Sequence, residues 1–255
     1  MVQESPVTWY MDMPIVSRVY LTVSFLTTAG CALELVSPLS LYYDYGLIVK
    51  RGEYWRVLSN FFFFGMFSLD FLFHMYFLVR YCRLLEEGEF RGKPLKFVGM
   101  LAFGGICMVA AAPFLSLHFL GSSLTFMMVY VWGRRNEHVR MSFLGLFPFS
   151  APYLPWVMLA FSILLGNPAT TDIIGIVVGH LYFYFEFVYP RVAEVRGWRP
   201  KRLFALPTSL TVLTANGNHL LGHAERPHHN NEAYDDNPAA AAEQEHQQQQ
   251  HHHRQ

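Results

Sequence analysis

Long apolar runs alternate with short polar or charged patches from the start of the chain to about Pro190. A helix that crosses a bilayer needs about 20 mostly apolar residues. The pattern therefore predicts six membrane-spanning helices. They are Val16–Val36, Val57–Val79, two helices that share Phe97–Trp132 with a break around Ala112, Pro113 and Ser116, Ala151–Leu165 with Leu144 as an alternative start, and Ile173–Tyr189.

The distribution of cations decides how often Phe97–Trp132 crosses the membrane. Basic patches flank this stretch on both sides, and cytosolic loops carry an excess of lysine and arginine. Two crossings place both patches in the cytosol together with the cluster that follows the sixth span, and they leave both termini cytosolic. The patches are Arg80, Arg83, Arg91, Lys93 and Lys96, then Arg134, Arg135 and Arg140, then Arg191, Arg196, Arg199, Lys201 and Arg202.

Two features of this topology stand out. Thirty-six helical residues reach roughly 54 Å, whereas two crossings of the hydrocarbon core need about 60 Å. The third and fourth helices are therefore expected to be short for an undistorted bilayer, a mismatch that is met by thinning or by snorkelling flanks. The loop Ser37–Arg56 breaks the charge rule, because it holds Lys50, Arg51 and Arg56 on the far side.

The composition divides the chain into three parts. Residues 1–15 carry Glu4 and Asp12 and lack a basic start, so the first span is expected to be an uncleaved anchor. Residues 16–190 form the membrane domain. Residues 191–255 form a cytosolic tail that becomes rich in Asn, Gln, His, Pro and Ala after Thr214. Such a composition buries too little apolar surface to offset the ordering entropy, which predicts disorder.

Overall charge and cysteine content exclude several classes of protein. Lys+Arg and Asp+Glu both number 19, so the cationic surplus of a nucleic-acid-binding protein is missing. The chain is 53% hydrophobic and only 15% charged, which favours an integral membrane protein. The three cysteines Cys31, Cys82 and Cys107 form no C-x-x-C pair, which argues against a disulfide scaffold and a cysteine-zinc site.

Two short motifs lie at positions where they could have a role. Trp55-Arg56 precedes the second span, and Arg can stack on an aromatic face or bind exposed carbonyls. The alternative is an ordinary interfacial anchor. Gly175 and Gly179 are four residues apart in the sixth span, a spacing that lets another helix approach closely. Plain helix packing is the alternative here.

These motifs resemble the rhomboid superfamily and, more closely, the Derlins. The segments concerned are RYCRLLEEGEFRG (Arg80–Gly92), LTFMMVYVWGRRN (Leu124–Asn136), YLPWVMLAFSILLG (Tyr153–Gly166) and GIVVGHLYFYFE (Gly175–Glu186). The resemblance runs from about Met13 to Pro207. It implies an all-α polytopic membrane protein, a six-helix rhomboid-like bundle with a disordered C-terminal tail.

The residues that rhomboid proteases use for catalysis are missing. Those enzymes have a Ser in G-x-S-G at the start of the fourth span and a His in the sixth. Matching the family pattern on Tyr130-Val131-Trp132 and on the glycine pair puts Gly121 and Asp172 at these two positions. Without a base, a serine hydroxyl is a poor nucleophile. The resemblance therefore implies a pseudoprotease, although Ser122 and Ser123 lie beside the first position.

Several polar residues lie within predicted spans. Asp70 and His74 are four residues apart and share one helix face, and ionisable groups at membrane depth usually face a protein interior or a watery cavity. One interpretation is a structural pair. The other is a hydrophilic groove for a translocating segment, lined by Asn60, Asp70, His74, Ser122, Ser123 and Thr125.

The tail offers less. Eight of the twelve histidines lie there: His219, His223, His228, His229, His246, His251, His252 and His253. No carboxylate or thiol cluster accompanies them, so adventitious metal affinity is favoured over a metal site, and no cofactor is indicated. Some Derlins end in a short Phe- and Gly-containing motif that docks the valosin-containing AAA-ATPase. The tail has no such motif, so any recruitment of that ATPase is expected to be indirect.

The resemblance implies a multi-pass protein of the endoplasmic-reticulum membrane that helps misfolded proteins return to the cytosol for degradation. Its expected partners are misfolded substrates, a membrane ubiquitin ligase complex, the lipid bilayer and further copies of this or related chains. Two alternatives predict different results. A small-solute channel would conduct in liposomes, and an intramembrane serine protease, which the lost dyad argues against, would cleave a model substrate.

Overall fold

The computed structural model describes residues 6–143 and 147–197 of the chain, which fold mostly as helices. The predicted disordered region after Thr214 and its histidines lie outside these residues. The helices and strands, in chain order, are α1 (Pro6–Met11), α2 (Ile15–Ala32), α3 (Tyr45–Arg51), α4 (Arg56–Ser59), α5 (Leu69–Glu87), α6 (Pro94–Leu115), α7 (Gly121–Arg135), β1 (Arg140–Phe143), β2 (Phe147–Ser150), α8 (Leu154–Leu164), α9 (Ala169–Phe183) and α10 (Tyr189–Val195).

The β-hairpin corrects the expectation of an all-α fold. Strands β1 and β2 pair antiparallel, with Arg140 opposite Ser150. The alternative start of the fifth span at Leu144 is wrong, because a strand and a 3₁₀ turn precede α8, which begins at Leu154. The segment is too short to bury an apolar face as a helix, and Pro148 within β2 removes a helical hydrogen-bond donor.

The predicted second span is misplaced. Val57–Val79 was expected to be one helix, but α4 ends at Ser59 and α5 starts only at Leu69. Between them Gly65 has a φ of 91°, a left-handed conformation that interrupts a helix. Ser68 then caps α5 by accepting a hydrogen bond from the Phe71 N–H at 3.2 Å. An apolar run of phenylalanines therefore forms a loop, because local capping overrides hydropathy.

The predicted break between the third and fourth helices is present. Helix α6 contains Pro113 and ends at Leu115, and the residue that caps it, Ser116, has a left-handed φ of 51°. With 22 residues α6 reaches about 33 Å, whereas the 15 residues of α7 reach only about 22 Å. The expected shortage of length therefore falls on α7 alone.

Among the described residues, three helical stretches are long and apolar enough to span a membrane: Ile15–Ala32, Pro94–Leu115 and Ala169–Val195. The last is longer than the predicted Ile173–Tyr189, because a π-helical turn at Tyr184–Val188 joins α9 to α10. Helix α8 is apolar but has only 11 residues. Crossing by α5, α7 and α8 stays a prediction.

Helix α7 is the centre of the fold. It packs against α5, α6, α8 and α9, and Phe126, Met127, Val129 and Val131 on it are completely buried. The outer helices instead expose large apolar side chains, for example Phe114 (87%) and Leu164 (79%). A water-soluble protein rarely exposes so much apolar surface, and a lipid environment explains it.

Contacts between distant residues define two ends of the bundle. At the end called here the loop end, α5, α7 and α9 begin, and the Asn167 amide donates to Asp70. At the other, called the basic end, α2 begins and α5 and α7 finish; there Arg135 pairs with Glu89 at 2.7 Å. Helices α7 and α9 therefore run parallel through the centre of the bundle.

Candidate functional site

A cavity of about 470 Å³ opens at the loop end, and we call it the loop-end cavity. Its wall comes from the loop before α5, the α6–α7 connection, the α8–α9 connection and the first turns of α5, α7 and α9. The lining residues are Phe63, Phe64, Gly65, Asp70, His74, Leu115, Ser116, Leu117, His118, Phe119, Ser122, Asn167, Pro168, Thr170, Thr171 and Asp172.

Asp70 and His74 are paired in this cavity. His74 Nδ1 lies 3.2 Å from the Asp70 carboxylate and 3.0 Å from the Asp70 carbonyl oxygen. The Asn167 amide donates to Asp70 Oδ1 at 2.5 Å. Because α5 begins at Leu69, the two residues lie in its first two turns and not, as predicted, midway along a span.

Asp172 lies in the first turn of α9 and is only 1% exposed. Within the described part of the chain, neither of its carboxylate oxygens has a hydrogen-bond partner. The Nε2 atom of buried His74 also lacks one. Most buried polar groups in proteins are hydrogen-bonded, so these atoms are the ones in the cavity that can accept a further polar partner.

The other residues of the predicted groove are divided between the cavity and the core. Ser122 lines the cavity, whereas Ser123 and Thr125 are buried. Ser123 donates to the Thr171 carbonyl oxygen at 2.5 Å, and Thr125 donates to that of Gly121. Asn60 is also buried, and its amide donates to the carbonyl oxygens of Arg56 and Val57 in α4. The structure thus brings Asp70, His74 and Ser122 together, and it places Asn60, Ser123 and Thr125 outside the lining.

Gly121, which the sequence match aligns with the rhomboid nucleophile, is closely surrounded by its neighbours. A Cβ atom there would lie 2.9 Å from the Phe61 carbonyl oxygen and 3.0 Å from the Phe64 ring. Any residue other than glycine would overlap the backbone of the loop before α5. His180 in α9 is two turns beyond Asp172, and its Nδ1 lies 2.6 Å from the Tyr130 hydroxyl.

Gly175 and Gly179 face α7. A Cβ atom on Gly175 would overlap the carbonyl oxygen of Ser123 and come within 2.8 Å of the Cβ of Phe126. On Gly179 it would lie 3.0 Å from the Cβ of Tyr130. The two glycines let the backbones of α7 and α9 approach closely, as small residues do between membrane helices.

Arg56 holds the loop between α2 and α5 together. Its guanidinium donates to the carbonyl oxygens of Leu39 (2.8 Å) and Tyr42 (3.2 Å) and pairs with Glu53 at 2.6 Å. It lies over the ring of Tyr42, with 5.0 Å to the ring centroid. Arg56 is 6% exposed whereas Trp55 is 58% exposed, so the two halves of the motif face different surroundings.

The same loop contains the short helix α3, which is capped at both ends. Asp44 accepts the Leu47 N–H at 2.9 Å, and this bond lowers the pKa of the Asp44 carboxyl. Lys50 and Arg51 lie in the last turn, where the helix dipole favours cations. Together with buried Arg56, they account for the cations that break the charge rule in this loop.

The sequence reasoning missed Glu86. This buried carboxylate of α5 accepts three hydrogen bonds at the start of α2: from the Val16 N–H (3.0 Å), the Ser17 N–H (2.8 Å) and the Ser17 hydroxyl (2.7 Å). It satisfies amides that have no partner within their own helix. Its position four residues after Cys82 and eight after Leu78, both buried, could have revealed that it faces inward.

Comparison with known proteins identifies the family of the chain. The model of the Der1-like family matches residues 13–199. The chain is 51% identical over 199 residues to Derlin-2.1 of Arabidopsis thaliana, covering 74% of this chain and 82% of the relative. It is 48% identical over 221 residues to Derlin-2 of Oryza sativa subsp. japonica (82% and 86% covered). It is 44% identical over 195 residues to a probable derlin-2 homolog of Dictyostelium discoideum (74% and 77% covered). Since the family match takes in every helix from α2 to α10, the chain belongs to the Der1-like family, the derlins.

Proposed function

We propose that this derlin is a multi-pass protein of the endoplasmic-reticulum membrane that assists the return of misfolded proteins to the cytosol for degradation. The observation that carries the proposal is the family match over residues 13–199, which includes the loop-end cavity and the closely packed pair α7 and α9. We propose that the loop end faces the lumen and the basic end faces the cytosol, because cytosolic loops carry an excess of lysine and arginine.

The loop-end cavity supports a role in passage. Unpaired polar groups cost free energy in a bilayer, so a polypeptide segment that enters it needs hydrogen-bond partners in place of water for its backbone and side chains. Asp70, Ser122 and Asn167 offer such partners at the mouth of the bundle. A lumenal segment could begin to cross there without full exposure to lipid.

No catalytic step is part of this proposal. The position of the nucleophile is Gly121, where the Phe61 backbone leaves no room for a side chain. The position of the base is Asp172, a carboxylate in place of an imidazole. Serine hydrolases need a hydroxyl and a base within hydrogen-bond reach of one another, and neither position supplies its part.

Bilayer distortion is the second part of the proposed mechanism, and the structure favours α8 as its source. The 11 residues of α8 reach about 16 Å, against a hydrocarbon core of about 30 Å. Trp156, Ile163 and Leu164 are more than half exposed on it, so lipid would meet this short helix directly. Helix α7 is also short, but its neighbours surround it. Mismatch at a lipid-facing helix is relieved by local thinning.

The partners remain those that the family suggests. We propose that the chain acts with a membrane ubiquitin ligase and with misfolded substrates, alone or together with further derlin chains. The valosin-containing AAA-ATPase would be recruited indirectly, because the tail has no recognisable docking motif.

Depletion and rescue test the function. Degradation of a misfolded lumenal substrate should slow when the chain is depleted and should recover with the wild type. Arg56→Ala and Gly175→Val should fail to restore it, because one frees the loop and the other separates α7 from α9. Gly99→Ala is the matched control, since a Cβ there meets nothing within 4 Å. Unchanged degradation on depletion would refute the proposal, and conductance by the purified chain in liposomes would favour a channel instead.

A further inference from the structure

We propose that the loop-end cavity binds the cationic side chain of an arginine or lysine in the entering polypeptide, with Asp172 as the main anion. This inference rests on the proposed function, because it names the feature of the substrate that the cavity would recognise. Three observations support it: the charge of the lining, the unpartnered atoms at its base and the spacing of its polar groups.

The lining carries anionic groups and no permanent cation. Its titratable side chains are two carboxylates, Asp70 and Asp172, and two imidazoles, His74 and His118. No lysine or arginine is among the described residues that line it. His74 is already engaged with Asp70 at 3.2 Å. A cation that enters the cavity therefore meets the charge of Asp172, which among the lining side chains also interacts with His74.

The carboxylate of Asp172 is available to a ligand. Among residues 6–143 and 147–197, neither carboxylate oxygen of Asp172 has a hydrogen-bond partner, although the residue is only 1% exposed. A carboxylate kept away from water is stable only when paired or hydrogen-bonded. The Ser162 and Thr171 hydroxyls lie close to this carboxylate, and within the described part of the chain Ser162 Oγ is itself buried without a hydrogen bond of normal length. The Asp172 carboxylate can therefore accept a further donor at the base of the cavity.

The spacing of these groups favours an organic cation over a metal ion. Within the described part of the chain, no three carboxylate, imidazole or thiolate residues lie close enough together to hold one metal ion. A guanidinium instead presents five N–H donors over a planar fork and can reach acceptors that are farther apart. The volume of about 470 Å³ is within the range of roughly 300–1,000 Å³ that is usual for small-ligand sites.

Asp70 completes the path from the surface. Its side chain is 30% exposed while that of His74 is 4% exposed, so Asp70 stands at the entrance and Asp172 at the base. The Asn167 amide fixes the Asp70 carboxylate by its hydrogen bond to Oδ1. An entering basic side chain would meet Asp70 first and then settle against Asp172.

A pair of peptides tests this directly on the full chain in lipid nanodiscs. The two peptides share one extended sequence and differ at a single position, arginine in one and citrulline in the other, which is similar in shape but neutral. Binding is measured by fluorescence anisotropy. We expect the arginine peptide to bind about ten-fold more tightly, the contribution of roughly one charge-assisted hydrogen bond. Equal affinity for the two peptides would overturn the proposal.

Two variants locate the effect. Asp172→Asn should abolish the preference for arginine, while Asp12→Asn, the same change at an exposed residue next to the basic end, should keep it. If Asp172→Asn does not yield a monodisperse protein, Asp70→Asn decides, and we expect it to lower the preference by several fold. A preference that survives the decisive variant would refute the assignment.

Failure here is distinguishable from failure of the proposed function. If depletion slows degradation but the two peptides bind equally, the derlin function stands and the cation site falls. If the peptides differ as expected but depletion leaves degradation unchanged, the cavity binds cations and its role in degradation is wrong.

Discussion

The close approach of α7 and α9 gives the sharpest quantitative prediction. In Gly175→Ala the new Cβ would lie 2.9 Å from the Ser123 carbonyl carbon and would overlap its oxygen. These are backbone atoms in the first turn of the central helix, so they cannot rotate away. Ordinary van der Waals contact begins at 3.4 Å, and the two backbones must therefore separate locally by at least 0.5 Å, the difference between these distances.

The cost follows from this separation. A gap of about 0.5–1 Å already forfeits a quarter to a half of the dispersion energy of each contact across it, and overpacked core sites typically cost about 1–3 kcal/mol. Alanine recovers roughly 0.5–1 kcal/mol of helix propensity over glycine. We expect Gly175→Ala to lower the free energy of unfolding by about 1–2 kcal/mol, the overpacking cost less the recovered propensity. Gly179→Ala should cost less, because its nearest contacts are 3.0–3.2 Å.

Reversible unfolding in mixed detergent and SDS micelles measures these energies, with tryptophan fluorescence, to which Trp132 on α7 contributes, as the signal. Gly99→Ala is the control, since its Cβ would enter open space in α6, and its stability should be unchanged or slightly higher. The expected order of stability is Gly99→Ala, then Gly179→Ala, then Gly175→Ala. A Gly175→Ala protein as stable as the Gly99→Ala control would refute the packing argument.

Three further predictions concern the loop and the basic end. Arg56→Ala should lower the free energy of unfolding by about 2–3 kcal/mol and speed proteolysis of the loop before α5, because two loop carbonyl oxygens and a carboxylate lose their partner. Arg56→Lys should recover only part of the lost stability. Proteolysis of Arg56→Ala at the wild-type rate would contradict this role of Arg56. Glu86→Ala should cost about 1–3 kcal/mol and speed hydrogen exchange of the Ser17 amide; unchanged exchange would show that another acceptor caps α2. The N-terminal cap of α3 should weaken in acid. Because the pKa of Asp44 is lowered in the folded protein, the stability that this cap contributes is complete above the ordinary aspartate pKa of about 3.9. That stability is lost as the pH falls through the lowered pKa. The Leu47 amide shift in an NMR titration should follow that loss, and Asp44→Asn should remove it.

The sequence predicted where several residues of the candidate site lie on their helix, but not which elements surround them. Asp70 and His74 were expected on one helix face, and they are, but the apolar run before them was assigned to the same helix. Hydropathy depends on side-chain transfer alone, and the caps that interrupt the run depend on backbone geometry at Gly65 and Ser68. A window average contains no information about either.

Other contacts depend on residues that are far apart in the chain. Asn167 meets Asp70 across 97 positions, and Glu86 meets Ser17 across 69. The sequence gives each residue a face on its own helix, but it does not give the neighbour that the face meets. Asp172 was noted only as a lost histidine, since nothing in the local pattern indicated that its carboxylate would be buried without a partner.

By itself the sequence determined the derlin identity, the helical and apolar character of the chain, the break between α6 and α7, and the face on which Gly175 and Gly179 lie. The derlin identity follows from the resemblance of several motifs to that family, and the other features follow from local composition and from spacing along a helix, which tertiary context does not alter. The tertiary structure alone decided the register of α7 against α9, the depth of Asp172 and the assembly of the loop-end cavity from three connections. The physical reason is that close packing fixes which distant backbones come into contact, and only then does a polar atom gain or lose its partner.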